Sequence, residues 1–157
     1  RRAAPLLTQN YSAQVNLHSP ALFPEHYIDD VHMRLTLYKR IASATDAESL
    51  QDLQIELIDR FGLLQPATKH LFDCAGIRLM AEQLGIKQID MNDLGGRVHF
   101  NAKPNVDPFT VIQLIRRNPK IYAMQGSDKL KIQNKTETGE QRVIFIRALL
   151  SMLGAKS

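Results

Sequence analysis

Cysteine is nearly missing. Cys74 stands alone, so no internal disulfide can staple the chain, and a single thiol in an apolar, helix-like stretch suits a reducing cytosol. Long apolar runs are missing too. Nothing approaches the roughly 18 residues that a membrane-spanning helix needs, and no signal-peptide pattern occurs. A cytoplasmic protein with no membrane partner is expected. The phosphate-cradling pattern G-x-x-x-x-G-K-[ST] is absent, so ATP should not bind in that manner, and neither G-x-G-x-x-G nor G-x-S-x-G occurs. The five histidines, His18, His26, His32, His70 and His99, show no zinc-ligand spacing with one another or with Cys74. Thr138-Gly139-Glu140 is like a zinc-finger linker, but no cysteine pairs flank it. No metal, cofactor or catalytic residue is expected.

What is present is a folded chain. Its 157 residues, 44% of them hydrophobic, can bury a core as one domain or as one domain with a tail. The net charge of +4 hides an asymmetry: positions 1–100 sum to −2 and positions 101–157 to +6. Such a split raises nucleic acid or a complementary neighbour as partners, although modestly basic domains are also common.

Positions 1 to about 14 lack a strong period and read as a mobile lead-in. Val15 to Leu17 could be a short strand. A first helix is predicted from Glu25 to Ala44, with Ile28, Val31, Leu35 and Tyr38 in one stripe and Met33, Leu37 and Ile41 in a second, which implies burial on more than one side. Thr45 with Glu48 makes a capping box for a second helix that Gly62 ends. Pro66 opens a third helix, packed through Ala67, Leu71, Ala75, Leu79 and Ala81 and ended at Gly85. Ile86 to Leu94 and Arg97 to Phe100 read as a hairpin around Gly95-Gly96. Asp107-Pro108 starts a fourth helix that stops before Pro119 and carries Phe109, Val111, Ile112, Leu114 and Ile115. A second hairpin, Ile121 to Met124 and Lys129 to Gln133, turns at Gly126-Ser127-Asp128. A last helix, Glu140 to Leu153, turns Val143, Ile146, Leu149, Leu150 and Leu153 inward. The order predicts an α+β fold: N-terminal helices, then two β-hairpins in a small antiparallel sheet alternating with helices.

The stretch Glu56-Leu57-Ile58-Asp59-Arg60-Phe61-Gly62 is the most informative. At about 100° per residue, Leu50, Leu53, Leu57 and Phe61 share one side, with Asp52, Glu56, Asp59 and Arg60 opposite. The three carboxylates are helix neighbours, an arrangement that costs a few tenths of a kcal/mol per pair in isolation. That suggests a surface shaped for a basic partner. Glu56 and Asp59 could be imagined as an acid–base pair, but they lie away from the apolar stripe with no other catalytic group near. Ile55 projects toward the charged side. It is either the apolar centre of a polar-rimmed interface or a core residue buried by a second element. In the basic half, Arg116, Arg117 and Lys120 cluster at a helix end, while Lys129 and Lys131 share one face of a strand, with Lys135 at its exit. Phosphate contact is possible, but Tyr122 is the only aromatic nearby for stacking. Dipole compensation and edge protection account for these charges more simply.

Tyr27-Ile28-Asp29-Asp30, then Arg34-Leu35-Thr36-Leu37-Tyr38-Lys39-Arg40-Ile41-Ala42, then Glu56 to Gly62, resemble the C-terminal domain of bacterial transcription-repair coupling factor. Leu84-Gly85-Ile86 also fits, and the likeness runs from about residue 20 to the chain end. It implies a linker over 1–19 and a C-terminal regulatory domain over 20–157. The full-length family protein is an ATP-dependent DNA translocase with a helicase-type motor upstream of this domain, so the fragment itself is not an enzyme. The family protein recognises stalled RNA polymerase and recruits the excision-repair protein UvrA. Its C-terminal domain packs on the protein's own N-terminal UvrA-binding module and masks it until the motor engages. Carried over by motif, the masking contacts fall on Glu56, Asp59 and Arg60, beside Asp52 and Ile55 from the helix reading. The resemblance thus implies an intramolecular partner, indirect links to UvrA, RNA polymerase and DNA, and a monomer. The alternative is a nucleic-acid-binding accessory module using Arg116, Arg117, Lys129 and Lys131. Two departures stand out: Asp29 replaces a usual proline, and the proline after R-F-G-x-L is displaced to Pro66.

Overall fold

The computed structural model describes residues 12–157. Its elements run β1 (Gln14–Asn16), α1 (Val31–Ser43), α2 (Ala47–Phe61), α3 (Pro66–Gln83), β2 (Ile86–Met91), β3 (Gly95–Phe100), α4 (Pro108–Arg117), β4 (Tyr122–Gln125), β5 (Lys129–Gln133) and α5 (Gly139–Met152). The α+β order is the expected one. The sheet differs in one respect. Its strand order is β1-β2-β3-β5-β4, and β1 joins β2 in parallel while every other pairing is antiparallel. The sheet is therefore mixed. Of the lead-in expected up to about residue 14, positions 1–11 lie outside the described residues. From Ala13 onward it is part of the fold: Ala13 and Leu17 are buried in the core around the β1 strand.

Local chemistry sets the helix starts. Helix α1 begins at Val31, not Glu25, because Asp30 Oδ1 accepts from the His32 and Met33 amides at 2.9 and 3.4 Å, a side-chain N-cap. Ahead of it, Pro24 to Ile28 forms a tight turn closed by the Tyr27 and Ile28 amides on the Pro24 carbonyl. Helix α2 is capped one residue later than predicted: Asp46 Oδ1 accepts from Ser49 N at 2.7 Å, so Glu48 falls at the second helical position and no capping box forms. Asp107 and Thr138 cap α4 and α5. Thr138-Gly139-Glu140 is thus simply a helix start.

Two cores share α3. Phe72 and Ala75 face α1 and α2 together with Leu37, Ile41, Leu50, Leu53 and Leu57. Ile77, Met80 and Ala81 face the sheet, with Ile89, Val98, Leu130, Ile132 and four inward residues of α5. A helix packed on two sides needs apolar residues all round, which is why no single stripe describes it. The reverse holds for α1. Leu37 and Ile41 are buried, and so is Ile28, with Tyr38 packed against the same core; Val31 and Leu35 are half exposed, so one of its two predicted stripes is covered and the other only at its two ends. The inward set predicted for α5 is buried throughout.

The Gly95-Gly96 pair does not make the first hairpin turn. Asn92 Oδ1 accepts from the Leu94 and Gly95 amides and forms the turn two residues earlier. Both glycines lie in β3 because there is no room for a Cβ: it would strike the Ile132 carbonyl oxygen at Gly95 and the Asp90 carbonyl oxygen at Gly96. Helices α3, α4 and α5 all pack through the sheet's apolar side. The other side carries Gln88, Asp90, Arg97, His99, Lys129 and Lys131 in register. Among the described residues, no helix is long and apolar enough to cross a membrane.

Candidate functional site

Helix α2 is anchored from beneath by Leu50, Leu53 and Leu57, all buried. Its end is held at Gly62, which adopts φ 90°, the left-handed region that favours glycine. The Gly62 carbonyl accepts from the Tyr27 hydroxyl at 2.8 Å, and the Tyr27 and Phe61 rings meet at 6.0 Å. The outer face is therefore presented by a fixed rod.

On that face the structure separates the candidate residues. Ile55 is 53% exposed and Ile58 40%, so Ile55 is surface and not core. Asp52 and Asp59 are exposed, and neither side chain has a hydrogen bond or ion pair among the described residues. Glu56 and Arg60 are tied down. Arg40 of α1 grips Glu56 as a two-pronged fork, Nη1 to Oε2 and Nη2 to Oε1, both at 2.9 Å. Arg60 Nη1 donates to the same Oε2 at 3.4 Å, and Arg60 Nη2 approaches Met33 Sδ at 3.9 Å. The Arg60 guanidinium also lies 5.0 Å from the centre of the Phe61 ring. The Arg40 hydrogen bonds, helped by Arg60, outweigh slight desolvation and hold the Glu56 carboxyl below the ordinary glutamate range.

That shift runs opposite to what a general acid needs, and both side chains lie on the outward side of α2. The acid–base reading of Glu56 and Asp59 therefore has no support in the geometry. Cys74 is no better placed as a nucleophile. It touches His70 Nε2 at 3.4 Å, yet burial, with Asp73 beside it, pushes its thiol up to about 12.

The basic candidates do not converge. Lys129 and Lys131 lie on the open side of the sheet, opposite His99 and Arg97, and Lys129 pairs with Asp128 at 3.6 Å. Arg116 and Arg117 close the last turn of α4, which packs on the opposite side. The structure thus brings Arg97 and His99 to the two lysines and leaves the two arginines elsewhere. Sequence reasoning missed Arg40 and Ile58. Arg40 stands 16 residues from Glu56 in another helix, and no spacing rule reaches across that gap. Ile58 borders the buried stripe in the helical projection, yet it is left open to water.

A family model described as the TRCF domain matches residues 17–111. The transcription-repair-coupling factor of Haemophilus influenzae is 42% identical over 149 residues, covering 95% of this chain and 13% of that protein. That of Escherichia coli is 37% identical over 140 residues, covering 89% and 12%. The chain thus spans about an eighth of the length of these relatives. A crystal structure of the C-terminal domain of transcription-repair coupling factor shares the fold with a TM-score of 0.72 at 19% identity, over 94% of this chain and 97% of that one. A family model that spans more than half of the sequence, a 42% identical relative aligned over nearly all of it, and the shared topology lead to one conclusion: the chain belongs to the transcription-repair-coupling factor family and has the fold of its C-terminal domain.

Proposed function

We propose that this domain is an autoinhibitory latch within a bacterial cytoplasmic repair translocase. Helix α2 docks on the N-terminal UvrA-binding module of the same monomeric protein and masks it until the protein engages stalled RNA polymerase. The regulatory unit comprises residues 20–157 together with Ala13 to Leu17, which add β1 to its sheet. ATP hydrolysis and DNA translocation belong to a motor elsewhere in the full-length protein, and this fragment carries out no chemistry of its own.

One observation carries the reading. Helix α2 presents an apolar pair, Ile55 and Ile58, to water, rimmed by the carboxylates of Asp52 and Asp59, which have no partner among the described residues. An apolar centre inside a polar rim is the usual anatomy of an interface. Free carboxylates on a rim favour basic partners through charge-assisted hydrogen bonds. Such contacts are moderate in net strength because desolvation offsets attraction. A latch needs no more: a few kcal/mol keeps the open state at the per-cent level.

The test is UvrA binding by the full-length protein carrying Asp59→Ala, Glu56→Ala, Arg60→Ala or Ile55→Ser. Each variant should bind UvrA several-fold more tightly than wild type. Wild-type affinity in all four would refute the latch.

A further inference from the structure

Three acids on one helix face, Asp52, Glu56 and Asp59, repel one another at spacings of four and three. The structure shows what relieves this. Arg40, from the last turn of α1, forks onto both oxygens of Glu56 at 2.9 Å. Through Oε2 the same carboxylate holds Arg60, whose other nitrogen reaches Met33 of α1. Helix α1 thereby fixes two long side chains on the exposed face of α2 that would otherwise sample many rotamers. Each carboxylate oxygen accepts in two directions. The fork uses one on each and Arg60 takes the second on Oε2, so Glu56 is held in place and can still accept from a cation opposite through the remaining direction of Oε1.

We infer that Arg40 is a positioning residue of the docking face. It pre-sets Glu56, and through Glu56 also Arg60, so that the partner meets an ordered site. The inference rests on the latch reading above. Ordering before docking matters because each rotamer-rich side chain immobilised at an interface otherwise weakens it.

The experiment measures UvrA binding to the full-length protein, with immobilised UvrA, for Arg40→Ala, Arg40→Lys, Glu56→Ala and the double variant Arg40→Ala/Glu56→Ala. Arg40→Ala should raise UvrA binding by roughly three- to tenfold, the worth of one ordered side chain. Arg40→Lys, which keeps the charge but not the fork, should fall between it and wild type. In the Glu56→Ala background, Arg40→Ala should add nothing, because its effect passes through Glu56. A purely structural role would give equal effects with and without Glu56, and that result overturns the inference. So does wild-type binding by Arg40→Ala in a protein whose UvrA binding rises when residues 20–157 are removed. If that removal leaves UvrA binding unchanged, the latch itself is wrong and the inference falls with it.

Discussion

Replacing Gly96 with alanine should be among the most damaging single changes in this fold. Gly96 sits in β3 opposite Met91. An added Cβ would overlap the Asp90 carbonyl oxygen and lie 2.6 Å from the Met91 Cα and 2.7 Å from the Asp90 carbonyl carbon. All three are backbone atoms. Strand β2 cannot retreat freely, because Asp90 is also in register with Asn16 of β1 on its other side. Overpacking against side chains that can shift costs about 1–3 kcal/mol. Against pinned backbone the cost should reach about 3 kcal/mol or more, a large share of the roughly 5–15 kcal/mol that holds a domain together. Gly126→Ala is the control. There φ is +72° and the nearest neighbour of an added Cβ is Asp128 Oδ1 at 3.7 Å, so only the left-handed backbone is penalised, by about 1 kcal/mol. Urea denaturation followed by circular dichroism measures both. If Gly96→Ala costs no more than Gly126→Ala, the packing argument for this glycine is wrong.

Three further outcomes are expected. Tyr27→Phe removes the hydroxyl that donates to the Gly62 carbonyl at 2.8 Å and should lower stability by about 1 kcal/mol; no change in the urea midpoint would mean that the α2 end is held by other contacts. Cys74, with its thiol pushed up to about 12, should resist iodoacetamide at mildly alkaline pH in the folded protein and react in urea, and equal rates in both would contradict its burial. Burial raises the Asp73 carboxyl above its ordinary range against the pull of Lys69, Arg147 and His70. The folded state therefore holds that proton to higher pH than the unfolded chain, and stability falls as pH rises from the ordinary carboxylate range through the raised value. Asp73→Asn should match wild type below that window and be the more stable protein at neutral pH, and a loss at neutral pH would show that the neighbouring cations outweigh burial.

The proposed docking face places a limit on these substitutions. Gly96, Cys74 and Asp73 lie outside α2, so their effects should appear in stability and not in UvrA masking. Arg40 and Ile55 should behave in the opposite way. Both are at least half-exposed or near it, and surface changes of this kind shift stability little. Measuring both properties on the same variants therefore separates folding from function.

Local rules found most elements that one stretch of chain sets by itself, but they misplaced the caps of α1 and α2 and the turn of the first hairpin by one to several residues. The cap at Asp107, the helix end at Gly62, the inward face of α5 and the helix–hairpin order follow from side-chain oxygens, glycine freedom and hydrophobic period. The charged outer face of α2 was visible in the same way. Tertiary structure decided what depends on the distant neighbour. The same apolar periodicity leaves Val31 and Leu35 exposed on α1 yet accompanies burial on two sides of α3, since period reports a face and not what covers it. Gly95 and Gly96 are required by strands that cross them and not by a turn. Above all, Glu56 is gripped by Arg40 from another helix while Asp59 has no partner among the described residues. Residues four apart on a helix meet because the helix makes them meet. Residues sixteen apart on two helices meet only because both helices pack on α3 in one core, Leu37 from α1 and Leu53 and Leu57 from α2 with Phe72 and Ala75.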